Sequence, residues 1–179
     1  MGDPLDAGEF GPWLQDFRLA LDGDPAADGE VPCDGCTACC RSAQFVHIEP
    51  DETDTLAHVP AELLAPAPML PVGHMVLGYD DEGRCPMLTD HGCSIHAHRP
   101  RTCRSYDCRV FAAGGIEADP DSPLVVERAR RWRFRHPTVE DRRLHDEIIE
   151  RARELEAAEP DADPTRIALG AVAPTTEET

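Results

Sequence analysis

The chain has no lysine. All 17 of its basic residues are arginine, so neither a Schiff-base lysine nor a lysine general base belongs in any mechanism written for it. Aromatic residues are also scarce. Five Phe, two Trp and two Tyr among 179 residues allow only a modest core, although 41% of the chain is hydrophobic. Seventeen prolines and thirteen glycines cut that core into short pieces. A core so small and interrupted needs a staple, either disulfides or a metal. No apolar run approaches the roughly 20 residues of a membrane span, which excludes a membrane helix. The opening residues, MGDPLDAGEFGPWLQ, carry neither the basic nor the apolar region of a secretory signal. Position 6 is Asp, where a myristoylation site prefers Ser or Thr. These absences set the expectation of a cytoplasmic protein, in which thiols stay reduced and clustered cysteines signal metal or redox chemistry.

Several catalytic signatures are missing too. There is no nucleophile elbow, glycine-rich phosphate loop, zinc-protease helix or Rossmann fingerprint. Any catalysis would have to come from a metal, and whether the chain is an enzyme stays open on sequence grounds. The net charge of −18 argues against non-specific binding to nucleic acid or anionic membranes. That charge is uneven: residues 99–143 hold 11 Arg against 7 acids, net +4, and the remainder holds 6 Arg against 28 acids, net −22.

The length fits one domain with disordered ends. Residues 1–32 read as an N-terminal helix, FGPWLQDFRLAL (10–21), and a turn-rich linker (22–32), with Trp13, Phe17 and Leu21 on one helix face. Residues 33–158 read as the cysteine-bearing domain. Within it, 49–65 suggests short helical pieces broken at Pro60, and DETD (51–54) marks a helix start. The stretch 66–75 is a proline-punctuated loop, and 76–88 is compatible with a short β-hairpin turning at 81–83. Residues 121–137 favour a helix begun by Ser122 and Pro123, with Val125 and Val126 leaving a strand open. The clearest helix is 138–158, where Thr138 and Asp141 form a capping box and Leu144, Ile148 and Leu155 keep helical register. Residues 159–179 read as a disordered tail. The fold class expected is therefore mainly α, a small irregular cysteine-rich domain stabilised by metal.

The positive signal is sulfur. CDGCTACC places Cys33, Cys36, Cys39 and Cys40 in eight positions, and Cys85, Cys93, Cys103 and Cys108 follow at looser spacing. Two thiolates two residues apart can bite one ion, with Gly35 easing the turn between Cys33 and Cys36, but the site then needs ligands from elsewhere. Cys39 and Cys40 are adjacent, and neighbouring side chains diverge, so the pair suits two nearby metals, a cluster, or a separate role for Cys40. Eight thiols suffice for two four-cysteine sites, or for one [4Fe–4S] cluster with four to spare. His91, His96 and His98 flank Cys93 and can replace a thiolate. His47, His58, His74, His136 and His145 read as surface or packed residues.

CDGCTACC followed by CPMLTDHGCSIHAHRPRTCRSYDC resembles the CxxCxxCC (YkgJ-type) cysteine-cluster family, described as chelating zinc or iron. The match runs through all eight cysteines together with Ile95, Arg99, Pro100, Arg104 and Tyr106, and departs at His96, where the family usually has Tyr. The resemblance covers roughly residues 33–108 and implies a metal site of zinc or iron: mononuclear, dinuclear or [4Fe–4S]. Related clusters occur in flagellin lysine N-methylases, but no extended methyltransferase domain is visible here.

Three functional classes follow: a structural or carrier metal module, a metal-dependent enzyme or redox protein with an open coordination position or a reactive Cys40, and an interaction module. The last would present Arg128 to Arg135 to an acidic protein partner, although the same run also reads as a solvated face with Trp132 and Phe134 packed inward.

Overall fold

The computed structural model describes residues 2–22, 31 and 35–174. Cys33, most of the expected 22–32 linker and residues 175–179 lie outside the described residues. Helix makes up 46% of the structure and the sheets hold two or three strands, so the mainly α expectation with short β elements holds. The chain divides into two compact units, 1–29 together with 107–179, and 30–106.

The first unit is built on a parallel pair of strands, β1 (Leu5–Glu9) and β7 (Trp132–Arg135), in which Leu5 faces Trp132. Helix α1 (Phe10–Leu21) follows β1 directly and buries Phe10, Trp13, Leu14 and Phe17, whereas Leu21 is exposed. Asp107 is buried beneath it. Its carboxylate accepts the Trp13 indole N–H at 2.8 Å and pairs with Arg109, whose guanidinium also donates to the Ala7 carbonyl. Helices α4 (Arg109–Gly114) and α5 (Pro123–Ala129) add Val110, Phe111, Val125 and Val126 to the core. The sequence expectation of one helix over 121–137 is corrected here. The helix ends at Ala129, and Trp132–Arg135 leave it to pair with β1, burying the Trp132 ring.

Helix α6 (Val139–Ala158) carries the expected capping box: Thr138 Oγ1 accepts the Asp141 N–H, and the Asp141 carboxylate accepts the Thr138 N–H. Ile148 and Ala152 form its buried stripe. The tail expectation also needs correction, because Pro164–Val172 form a helix, α7, packed against α4 and α6. Asp163 caps it by accepting the Thr165 and Arg166 N–H groups, Pro164 occupies its first turn, and Ile167, Ala168, Ala171 and Val172 are buried. A short apolar face that packs in this way outweighs the acidic, proline-rich flanks that made the segment look unstructured.

The second unit carries seven of the cysteines. Its antiparallel sheet runs in the order β2 (Val46–Ile48), β4 (Met75–Leu77), β3 (Leu64–Pro66), with β4 central. Helix α2 (Thr53–His58) and a 3₁₀ turn (Ala61–Leu63) connect β2 to β3, broken at Pro60 as expected. A short β-hairpin is present, but it forms between β5 (Leu88–Thr89) and β6 (Gly92–Cys93) instead of within 76–88. Both edges of β4 are already paired, so the chain leaving the 80–84 turn has no free strand edge to fold back on. Ile48, Val59, Leu77, Met87 and Ile95 make the small core, and Cys85 and Cys93 pack on its margin.

Candidate metal centre

Three separate segments deliver the thiols of the 30–106 unit. The first ends in a 3₁₀ turn over Cys39–Arg41, preceded by Gly35 at φ +64°, a left-handed conformation that a side chain would strain. The second begins after the 80–84 turn, which the Asp80 carboxylate closes by accepting the N–H groups of Glu82 and Arg84. Two backbone bonds fasten these segments together: Cys85 N–H donates to the Cys40 carbonyl at 2.8 Å, and Ala43 N–H to the Gly83 carbonyl at 2.9 Å. Cys93 reaches the same region through the β5–β6 hairpin, paired with Leu88. The third segment is helix α3 (Arg101–Ser105), which carries Cys103.

Helix α3 is positioned by residues that the sequence reading did not single out. Glu52, buried at the start of α2, accepts the Arg101 N–H with one carboxylate oxygen and the Glu49 N–H with the other. Thr102 Oγ1 donates to the His47 carbonyl on β2 at 2.8 Å. A buried carboxylate in the otherwise ordinary acidic run 51–54 gave no local signal, because its partner lies 49 residues away.

The electrostatics show that five thiols share one neighbourhood. Cys103 is exposed as a residue, but protein packed around its sulfur, then the proximity of Cys39, Cys85 and Cys93, pushes the thiol up to about 12, with the Arg99 guanidinium opposing. Burial and neighbouring Cys93 and Cys39 also raise Cys85, while the Met87 N–H at its sulfur pulls the other way. Cys39 and Cys40 act as a pair. The Cys39 thiol donates to the Cys40 sulfur, which raises Cys39 and lowers Cys40; burial and nearby Cys85, Cys103 and Cys93 oppose the lowering. The expectation that these two side chains diverge is therefore corrected. The 3₁₀ turn brings successive side chains closer in direction than an extended strand does, which puts the two thiols within range of one another.

Cys36 is half-buried on the approach to the 3₁₀ turn, and Cys108 belongs to the first unit, where its sulfur accepts the Trp132 indole N–H at 3.1 Å. Among the described residues no three sulfurs all lie within 4.8 Å of one another. Of the histidines flanking Cys93, His98 is hydrogen-bonded to Asp54 and His96 lies against the Arg99 guanidinium. His91 is exposed on the β5–β6 loop. The arginines of 128–135 are largely engaged within their own unit. Arg130 pairs with Glu117, Arg135 with Asp6 and Glu9, and Arg131 donates to the Asp3 carbonyl.

A donor set of clustered, soft thiols that hold their protons against one another is the chemistry a thiophilic cation satisfies, since a dication replaces mutual repulsion with attraction. Comparison with protein families decides the affiliation. Residues 32–122 match the family model CxxCxxCC, described as "Putative zinc- or iron-chelating domain". The chain belongs to the CxxCxxCC family. The match extends beyond the cysteines at both ends, so the family domain includes α3, α4 and the turn before α5. Searches of curated proteins and of solved structures gave no significant match. No helix of the described residues is long and apolar enough to cross a membrane.

Proposed function

We propose that this CxxCxxCC protein chelates zinc or iron through its cysteine thiolates, and that the metal staples the 30–106 unit. The observation that carries the reading is the gathering of Cys39, Cys40, Cys85, Cys93 and Cys103 from three segments into one electrostatic neighbourhood, on a frame closed by the Cys85-to-Cys40 backbone bond. Cys33, Cys36 and Cys108 complete the family pattern of eight cysteines, and each is proposed as a metal ligand on that ground. The residues present fit such a group. Thiolates suit zinc, ferrous iron and iron–sulfur clusters alike, and the Met87 N–H at the Cys85 sulfur together with Arg99 near Cys103 steadies negative charge on sulfur. When bound, the metal supplies electrostatic cross-linking of distant segments. The chain's own residues hold the sulfurs in reach: Glu52 and Thr102 fix α3, and the 80–84 turn aims Cys85.

Purification without oxygen, followed by elemental analysis and a visible spectrum, tests the reading. At least one zinc or iron per chain is expected, and Cys85→Ser and Cys103→Ser should each reduce it. Brown colour with acid-labile sulfide identifies a cluster, and a colourless zinc protein identifies the plain thiolate site. A metal-free protein that takes up neither metal under reducing conditions would overturn the proposal.

A further inference from the structure

Away from the thiols, Asp54, His58 and His98 form a second group of ligand-type side chains in the 30–106 unit. Asp54 and His58 stand one turn apart on α2, so they share a face of the helix. His98 comes from the 3₁₀ turn His96–His98, and Thr55 Oγ1 ties α2 to that turn by donating to the His98 carbonyl at 2.9 Å. One ligand atom from each of the three lies within 4.8 Å of the other two, and among the described residues this is the one such trio of His, Cys, Asp and Glu.

The hydrogen bonds also set the chemistry of the two imidazoles. His98 Nδ1 lies 2.7 Å from Asp54 Oδ2, and His58 Nδ1 lies 2.8 Å from the Asp54 main-chain carbonyl. Both oxygens are acceptors, so without an ion each Nδ1 carries the ring proton. His58 Nδ1 also lies 3.6 Å from Asp54 Oδ1, so both Nδ1 atoms flank one carboxylate. A metal bound there takes the place of those protons, while each neutral ring keeps its N–H at Nε2. The rings stack with centroids 3.6 Å apart and planes 5° from parallel. The side chains are 68%, 41% and 38% exposed, so an ion can arrive from solvent and water can fill its remaining positions. Ligands of a tetrahedral zinc stand about 3.4 Å apart, so small side-chain rotations are enough to close the trio on an ion.

We propose that Asp54, His58 and His98 bind a divalent transition metal of the zinc type, at a site separate from the thiolates. Two imidazoles and a carboxylate make a borderline donor set, distinct in preference from the soft sulfur group.

The test uses the full chain with its thiols reduced. Zinc is added stepwise while the histidine side-chain resonances are followed by NMR, and bound zinc is counted after equilibrium dialysis. His58 and His98 signals should move together and saturate. His58→Gln and His98→Gln should each bind one zinc fewer per chain than the parent, and Asp54→Asn should weaken that zinc roughly tenfold or more. The NMR titration needs no variant, so a folding defect cannot mimic the result. Unmoved His58 and His98 signals at zinc saturation, or variants that bind as much as the parent, would leave an ordinary hydrogen-bonded trio and overturn the inference. A response of the histidines in a protein whose cysteines take no metal would sink the thiolate reading and keep this one.

Discussion

Cys40 is the residue at which the cysteine cluster becomes asymmetric. It receives the Cys39 S–H and is lowered, while Cys39, Cys85 and Cys103 are raised. Because the thiolate is the reactive form, metal-stripped protein at neutral pH should be alkylated at Cys40 before Cys85 or Cys103. Peptide mapping by mass spectrometry after a short iodoacetamide pulse reads the order; equal labelling would remove the asymmetry. His145 offers a pH test far from the sulfurs. Burial is the main cause lowering its pKa below 6.5, with nearby His136 in the same direction and the Ala112 carbonyl opposing. Phe10 stacks on its ring at 4.1 Å. The unfolded chain therefore binds this proton more readily than the folded one. The stability contributed is complete above pH 6.5 and is lost as pH falls toward the depressed folded value. Melting temperature should fall more between pH 7 and pH 5 in the parent than in His145→Gln, and parallel curves would count against the assignment.

Elements whose causes are local were legible in the sequence; those fixed by distant partners were not. Helix α1 was placed at its observed ends, and the capping box of α6 was read from Thr138 and Asp141. Thr138→Ala should cost about 1 kcal/mol in denaturant unfolding, since it frees the Asp141 N–H and leaves the Asp141 carboxylate without its hydroxyl partner. Strand β7 was hidden because its reason is β1, more than 120 residues earlier; Trp132-Arg133-Phe134-Arg135 does alternate, but four residues directly after a helical run are too few to decide without that partner. The same divide runs through the site. The cysteine spacing announced a metal centre, whereas Glu52, which fastens α2 to α3, gave no sign because its role depends on Arg101. In the first unit Asp107 plays a comparable part, accepting Trp13 and Arg109 while almost fully buried. Asp107→Ala leaves Arg109 without its carboxylate, and a loss of about 3 kcal/mol is expected. A cost under 1 kcal/mol by chemical denaturation would show that water replaces the carboxylate freely.

For the molecule as a whole, the two units differ in what can hold them. The unit of 1–29 with 107–179 buries Phe10, Trp13, Phe17, Phe111 and Trp132 together with the faces of α6 and α7. The 30–106 unit has no fully buried aromatic among its described residues and relies on Ile48, Val59, Leu77, Met87 and Ile95. Metal ligation through Cys40 and Cys85 would close a loop of roughly 45 residues, which restrains the unfolded chain by about 4 kcal/mol in the chain-entropy treatment used for disulfides. That is a large share of the stability of a domain this size. Stripping the metal with a strong chelator under reducing conditions should therefore act locally. Hydrogen exchange should rise first across 36–106, including the Cys85 N–H bonded to Cys40, while α6 and α7 keep their protection longer. The melting temperature should fall, and restoring zinc or iron should reverse both changes. If removal of all metal left exchange in 36–106 unchanged, the small apolar core would be sufficient by itself and the metal would be cargo instead of a staple.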